Sequence, residues 1–367
     1  MSQSNIPTTF VLAPNLLSPS APQTEAPRPA FPPPNFLADE ALADVRWSIG
    51  GALLYDNAVI EFLKFVRSET PAIYIRDVFG APPAQWTLDW YAMRRLIPPG
   101  DFTAAAKKII ELQVDFSLDF DNPFITEDRL DDVVGNTCLR SLSTARNVRI
   151  YVASEILANY IRKQFPQFKL HAGANKVVAE NGQGDLDYYC RSAEKFETTV
   201  LHANDATDAA FLEKLVARVP ADKFEIVVND TCLRNCPLRR EHLDALSKIR
   251  NAPWDASLLQ QRHALLGRAG CENVIASPDN PAGRASMLAR EEMKRAYALG
   301  FRNFKIQAEK LRSEVAFFWE LGQRILSDKP ELWHKKSAFI ASAVNNIHAP
   351  VPVLKSGTGA FVLRKYD

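Results

Sequence analysis

The sequence has no apolar run approaching the ~18 residues that a membrane-spanning helix needs. Its first residues lack the basic segment and the unbroken apolar segment of a secretory signal peptide. No charge sign dominates either, because 44 Lys and Arg residues are balanced by 43 Asp and Glu residues. A balanced net charge does not indicate binding to nucleic acid or anionic lipid. A small basic patch on such a protein could still bind a nucleic-acid substrate. These absences predict a cytoplasmic protein without a membrane span.

Common catalytic signatures are missing as well. The sequence contains no Gly-x-Ser-x-Gly elbow, no His-Glu-x-x-His pair and no Walker loop, so the usual hydrolase and kinase mechanisms have no anchor. Cysteine is scarce, with five residues spread over a chain of 367. That odd, thin distribution argues against the disulfide framework of a small secreted domain. A close pair of cysteines therefore indicates a metal site or a redox group.

Proline is concentrated at the amino-terminal end, where nine of the 24 prolines precede residue 35. Proline at this density sustains neither a helix nor a central strand. We therefore predict an extended arm over residues 1–37, a folded domain over 38–329 and an irregular carboxyl-terminal extension over 330–367.

Short β-rich runs alternate with helical patterns from Arg46 onward. Eight candidate strands can be counted. They are Arg46 to Leu54, Ala72 to Asp77, Val114 to Phe120, Val148 to Val152, Phe168 to Ala172, Thr198 to Leu201, Phe224 to Asn229 and Phe304 to Gln307.

Helical patterns lie between these runs. Ser154 to Phe165 has a capping serine and an apolar stripe, and Asp208 to Val219 has Phe211, Leu215 and Val219 on one face. Strict alternation of strands and helices indicates a parallel sheet, and eight units favour closure into a (β/α)8 barrel of the TIM type. An open doubly wound sheet is the structural alternative.

The most distinctive local pattern is Cys232-x3-Cys236, directly after the seventh predicted strand. In a barrel this position lies on the catalytic face, where the carboxyl ends of the strands meet. Thiolates near Arg234 and Arg239 would have lowered pKa values and would suit a soft metal or iron. Cys271 follows in the same long crossover, from 231 to about 302, and can return to the same face. The alternative is that these are buried thiols that only fill space.

Three thiolates leave a fourth ligand position open. Cys138 is one candidate, but it also continues an apolar stripe, as a core cysteine would. His242 is another candidate and would serve equally as a cap for the following helix. Cys190 shares a helix face with apolar residues and is predicted to be core. A fourth position left to water or substrate would suit metal catalysis.

Polar residues at predicted strand ends would face one pocket at the barrel mouth. Each of them has a simpler interpretation as a helix cap or a loop hydrogen bond. As a set they predict a mixed-charge mouth for a small polar or peptide-like ligand. The candidate catalytic residues are Asp77, Asn122, His171, His202, Asn229 and Lys305.

The segment from Val227 to His242, VVNDTCLRNCPLRREH, resembles a motif of bacterial barrel proteins in the U32 peptidase superfamily. Two further segments agree with it in order: YIRKQFPQFKL at 160–170 and GFRNFKI at 300–306. The superfamily is named for collagenase-like peptidases. Other members are iron–sulfur proteins of oxygen-independent hydroxylation that act on quinone precursors or RNA bases.

The resemblance implies a barrel in which Cys232, Cys236 and Cys271 are candidate ligands of an iron–sulfur cluster, of the 4Fe–4S type, with Cys138 as the candidate fourth ligand. The sequence departs from the family pattern at two places. Gln307-Ala308-Glu309 stands where Glu-Gly-Arg is expected, and Gly135-Asn136 stands where relatives carry a cysteine.

Three hypotheses follow. The first is an iron–sulfur enzyme that modifies a small molecule, a peptide or a nucleic-acid base, with hydroxylation as the candidate reaction. The second is a peptidase of the collagenase-like type, for which no nucleophile and base pair can be named in the sequence. The third is a noncatalytic barrel subunit that binds a related partner barrel.

Overall fold

The computed structural model describes residues 42–53, 56–69, 72–88, 99–252, 255–269, 285–308, 314–326, 352–354 and 361–363. The predicted arm over 1–37 lies outside the described residues. In the part of the chain that is described, no helix is both long and apolar enough to cross a membrane.

Eight parallel strands close into a barrel in the order of the chain. They are β1 (Arg46–Ile49), β2 (Tyr74–Gly80), β3 (Asp115–Phe120), β4 (Val148–Val152), β5 (Lys169–Ala172), β6 (Thr199–Val200), β7 (Phe224–Val227) and β10 (Asn303–Ile306). The last strand closes the barrel by pairing with the first, Arg46 opposite Asn303. All eight predicted strands are found, and the predicted (β/α)8 fold is confirmed.

Helices surround the barrel. The described ones are α1 (Asp56–Glu69), α2 (Pro99–Glu111), α3 (Val133–Leu142), α4 (Glu155–Gln164), α5 (Ala174–Ala179), α6 (Leu186–Lys195), α7 (Ala203–Thr207), α8 (Ala209–Val216), α9 (Arg239–Asn251), α10 (Ala256–Ala269), α11 (Arg290–Ala298) and α12 (Glu314–Ile325).

The predicted helix starts follow from side-chain capping. Ser154 caps α4 by accepting a hydrogen bond from the Leu157 amide at 3.3 Å, and Asp208 caps α8 by accepting one from Phe211 at 3.1 Å. Each cap satisfies an amide that the first helical turn leaves without a partner.

The outer face of the sheet and the helices enclose the apolar core. Trp86 packs edge-on against Phe120 with ring centroids 5.2 Å apart, and Phe102 packs in the same way against Phe116 at 5.5 Å. All four rings are buried. Aromatic rings at such angles and spacings attract each other beyond the gain from burial alone.

The seventh strand ends earlier than predicted. The Val228 amide still donates to the Lys305 carbonyl on β10, but the Val228 carbonyl accepts a hydrogen bond from Leu288. β8 (Asn229–Leu233) then pairs antiparallel with β9 (Ala285–Met287). The long crossover is therefore not an irregular loop, because it contains this strand pair and helices α9, α10 and α11.

The predicted extension over 330–367 contains a second strand pair. β11 (Pro352–Leu354) and β12 (Phe361–Leu363) run antiparallel, with Pro352 opposite Leu363. The rest of the predicted extension lies outside the described residues.

Candidate functional site

The inside of the barrel is lined largely by charged and polar side chains. Interiors of such barrels are usually packed with branched aliphatic residues. Here the inward-facing positions are occupied by Ser48, Arg76, Asp77, Ser117, Asp119, Arg149, Tyr151, His171, Glu225 and Lys305, a set that we call the lumen cluster.

Arg76 is the centre of the inner part of this cluster. Its Nε donates to Asp77 Oδ1 at 2.6 Å, and its Nη2 donates both to Tyr151 Oη at 3.2 Å and to Glu225. Burial by itself would lower the pKa of Arg76, but the carboxylates of Asp77 and Glu225 raise it well above the ordinary value. The guanidinium is therefore held in its charged form.

Asp77 was predicted to line a substrate pocket, and the structure places it completely buried in the lumen cluster. Its Oδ2 accepts hydrogen bonds from Ser48 Oγ at 2.8 Å and Ser117 Oγ at 2.7 Å. Burial would raise the pKa of Asp77, but Arg76 and Arg149 outweigh it and bring the pKa below its usual range. Both oxygens are thus engaged by protein groups, which is the arrangement of a structural anchor.

His171 lies on the same inner surface. Its Nδ1 is 2.8 Å from Thr198 Oγ1 and 3.2 Å from an Arg149 nitrogen, and its ring stacks on Tyr151 at 4.9 Å. Burial lowers the pKa of His171 well below its usual range, and Arg149 lowers it further. The imidazole is therefore neutral at physiological pH.

Lys305 lies nearer the carboxyl ends of the strands and pairs with Asp119 across the barrel, Nζ to Oδ2 at 3.0 Å. The ammonium lies 3.9 Å from the ring centroid of Phe79 and 4.1 Å from that of Tyr151. Burial would lower the pKa of Lys305, but Asp119 and Tyr151 raise it above its ordinary value. Lys305 is consequently a fixed cation and not a neutral amine.

Asp119 was not among the predicted site residues. The signal for it was present in β3, where Asp115, Ser117 and Asp119 alternate with apolar residues. In a barrel whose outer face is covered by helices, the polar set of such a strand must face inward.

Two predicted residues at the mouth hold loops together. Asn229 pairs with the main chain of Gln307, donating at 2.8 Å and accepting at 2.7 Å. Asn122 donates to the Gln85 carbonyl at 2.9 Å and accepts from the Phe124 amide at 3.1 Å. Both amides are buried, and these bonds join neighbouring loops at the barrel mouth.

His202 connects the end of β6 to the cysteine segment. Its Nδ1 accepts from the Asn204 amide at 3.2 Å, and its Nε2 is 3.3 Å from Arg239. Arg239 also forms an ion pair with Asp230. Burial, and after it the charge of Arg239, lower the pKa of His202 to about 4.

Cys232 and Cys236 lie on either side of a tight turn at the barrel mouth. Asn235 adopts a left-handed backbone conformation with φ of 53° in this turn, and its amide donates to Asn204 Oδ1 at 3.0 Å. Both cysteines are half-buried. Burial lowers the pKa of Arg239, whereas Asp230, Cys232 and Cys236 raise it above the ordinary value, so both sulfurs lie within electrostatic reach of this guanidinium.

The other cysteines are placed differently. Cys138 is buried on α3, and burial raises the pKa of its thiol to about 12, with Asp132 adding to the effect. Cys190, predicted to be core, is half-buried at the edge of α6, whose buried face includes Tyr189 and Ala193. Cys271 lies outside the described residues. Among the residues that are described, no three His, Cys, Asp or Glu side chains come together as a metal site.

Comparison with known proteins gives one distant likeness. A solved structure described as that of the U32 peptidase Mk0906 matches with a TM-score of 0.45 and 10% sequence identity, over 72% of this chain and 92% of that chain. No family model matches this chain. No curated protein matches it either.

Proposed function

We propose that this protein is an iron–sulfur enzyme that modifies a small molecule, a peptide or a nucleic-acid base at the mouth of the barrel, with hydroxylation as the candidate reaction. The observation that carries the proposal is the pair of half-buried thiols, Cys232 and Cys236, beside Arg239. Cys271, from the same crossover, is proposed as the third ligand.

The donor chemistry fits iron. Thiolates are soft ligands that hold iron–sulfur clusters. Arg239 is buried and fixed by Asp230, so it would balance part of the negative charge of the sulfurs. A cluster bound there would supply electron transfer to a substrate at the mouth.

The surrounding residues would position the ligands. Asp230 Oδ1 accepts from the Cys232 amide at 2.9 Å, and Asn204 holds the turn through the Asn235 amide. His202 in turn contacts Arg239. These bonds fix the main chain on both sides of the two cysteines, which limits the rearrangement needed when a ligand set forms.

The test is iron analysis of protein purified without oxygen. We expect brown protein with broad absorption near ~400 nm that is lost in air. Serine at Cys232, Cys236 or Cys271 should lower bound iron sharply, because a hard hydroxyl replaces a soft thiolate. Cys190→Ser is the matched control and should keep its iron. Cys138→Ser decides the fourth position, with iron loss indicating a ligand.

Other outcomes would favour the other hypotheses. Colourless protein that contains only zinc, or three crossover variants with full iron, would overturn the proposal. Cleavage of a peptide library by iron-free protein would then favour the peptidase, the activity named for the distant structural neighbour. A stable complex with a second barrel, without turnover, would favour the noncatalytic subunit.

A further inference from the structure

The strand ends at the barrel mouth are buried, although the proposed function places the substrate there. Asn122, Asn229 and Lys305 lie at or near the carboxyl ends of their strands, and they are 0%, 1% and 3% exposed. Phe79, whose ring centroid is 3.9 Å from the Lys305 ammonium, is 2% exposed. A substrate can reach these side chains only if a covering element moves.

Helix α9 is placed to be that element. It follows the crossover away from β7 and packs against α5, the short helix after β5. In its first turn, Arg240 donates to the Ala179 carbonyl at the end of α5, and its guanidinium lies 5.6 Å from the ring centroid of Phe124 in the loop after β3. In its last turn, Arg250 donates to the Ala84 carbonyl in the loop after β2 at 2.8 Å. The two arginines are roughly 15 Å apart along the helix, so α9 extends from the β3 and β5 side of the mouth to the β2 side.

The packing of α9 is that of a middle layer. Its buried residues lie on two opposite sides of the helix, Leu243 with Ser247 and Ala245 with Ile249. This is expected of a helix between the barrel mouth and α10, which packs against α9. Each side has one large apolar side chain and one small side chain. Whichever side faces the barrel, little apolar burial holds α9 there, and elements with few such contacts open locally.

The polar attachments of α9 also suit opening. The bonds from Arg240 to Ala179 and from Arg250 to Ala84 each join a guanidinium to a neutral main-chain carbonyl. Exchanging such a bond for bonds to water has a modest net cost, and Arg240 is exposed. Arg239, one residue earlier, is instead held by the carboxylate of Asp230.

We propose that α9, with α10 on its outer side, is a lid that opens to admit substrate to the barrel mouth, and that Arg240 and Arg250 are the latches that hold it closed. The inference deepens the proposed function by adding control of access to the same site. It rests on that function only in placing the substrate at the mouth, and it does not depend on bound iron. Both arginines are positioning residues.

The experiment measures hydrogen–deuterium exchange in the full chain, with parent and variants compared at the same iron content. In the parent, the amides of α9 should exchange roughly a hundredfold faster than those of β4, because the lid opens while the barrel stays folded. Arg240→Met and Arg250→Met should each raise the exchange of α9 by roughly tenfold, because each removes a bond between the lid and the rim. The exchange of β4 should not change.

Oxidation of Phe79 by hydroxyl radicals shows whether the opening uncovers the mouth. Both latch variants should oxidise Phe79 severalfold faster than the parent. Phe116, which is buried against Phe102 on the outer face of the sheet, should stay protected. A helix that is only loosened at the surface would exchange faster without any change at Phe79.

Arg268→Met is the matched control. It removes a bond within the lid, from α10 to Glu241 on α9 at 3.0 Å, and no bond to the rim, so Phe79 should react as in the parent. If one latch variant fails to fold, fast exchange in β4 shows it and the other latch variant carries the test. Exchange of α9 as slow as that of β4 in the parent, or unchanged Phe79 oxidation in the folded latch variants, would overturn the inference.

Iron measured in the same preparations separates this inference from the proposed function. Iron-free parent protein in which α9 opens as expected would remove the cluster hypothesis and leave the lid standing. Iron-containing protein in which α9 exchanges as slowly as β4 would remove the lid and leave the cluster hypothesis standing.

Discussion

The lumen cluster and the cysteine turn are both polar, yet they are built differently. Asp77 and Arg76 are almost completely buried, and each makes several direct hydrogen bonds. Cys232 and Cys236 are half-buried. The main chain beside them donates one hydrogen bond to Asp230 and one to Asn204. The charges deep in the barrel are thus held by the protein's own groups, whereas the two rim cysteines are more accessible.

The largest expected effect is on the buried side of that comparison. Arg76→Met leaves the carboxylates of Asp77 and Glu225 without their cation, so we expect a loss of about 3–5 kcal/mol in the free energy of unfolding. Urea denaturation measures it. Lys64→Met, which removes an exposed ion pair with Glu61, should cost less than about 1 kcal/mol. Equal losses in the free energy of unfolding for the two variants would contradict the difference expected between buried and exposed ion pairs.

The second prediction concerns pH. The pKa of His202 is about 4 in the folded protein because burial disfavours its charged form, and about 6.5 in the unfolded chain. The unfolded state therefore takes up the proton first, and stability present above pH ~6.5 is lost as pH falls through ~4, by up to about 3 kcal/mol.

Urea unfolding at about pH 7 and about pH 4.5 checks this linkage. His202→Asn keeps a capping acceptor but does not titrate, so its stability should fall less between the two conditions. His171 also has a lowered pKa and destabilises the protein as pH falls, but it does so equally in the parent and in His202→Asn. An identical fall in parent and variant would show that His202 does not contribute.

A third prediction compares two cysteines. Cys138→Ser should cost about 1–3 kcal/mol, because a hydroxyl is placed in the buried core without an assured partner. Cys190→Ser should cost less than about 1 kcal/mol, because its side chain is half-buried at a helix edge. Thermal unfolding of the two variants measures the difference. A larger loss of stability in Cys190→Ser than in Cys138→Ser would mean that Cys190, and not Cys138, is the core cysteine.

The smallest effect belongs to the cysteine turn. Asn235 has a φ of 53°, which asparagine tolerates better than other residues with a side chain. Asn235→Ala should cost about 1 kcal/mol, and Asn235→Gly should be close to neutral. Chemical denaturation of both variants tests this. An alanine variant as stable as the glycine variant would mean that the turn changes its backbone conformation.

The barrel could be predicted from the sequence because its strands are short β-rich runs separated by capped helices. Ser154 predicted one helix start through the local capping rule, and β4 was predicted to the residue. The end of β7 was not predictable, because it depends on a hydrogen bond between Val228 and the distant Leu288.

The site was harder to predict for a geometric reason. The second strand was predicted to end at Asp77, whereas β2 continues to Gly80. That difference of three residues moves Arg76 and Asp77 from the mouth into the middle of the barrel. The ion pair between Asp119 and Lys305 could not be predicted, because Lys305 lies on the strand that closes the barrel and no local pattern links the two residues.

The closure of the barrel between β1 and β10 has a consequence for protein synthesis. A ribosome adds about 5–20 residues per second and releases the amino-terminal strands first. The nascent sheet keeps two unpaired edge strands until the eighth strand leaves the ribosome. Asp119 also lacks its ion-pair partner until then, because Lys305 lies on that strand. Open strand edges invite pairing with other chains, so the newborn protein is most exposed to aggregation in the interval before Asn303–Ile306 emerges.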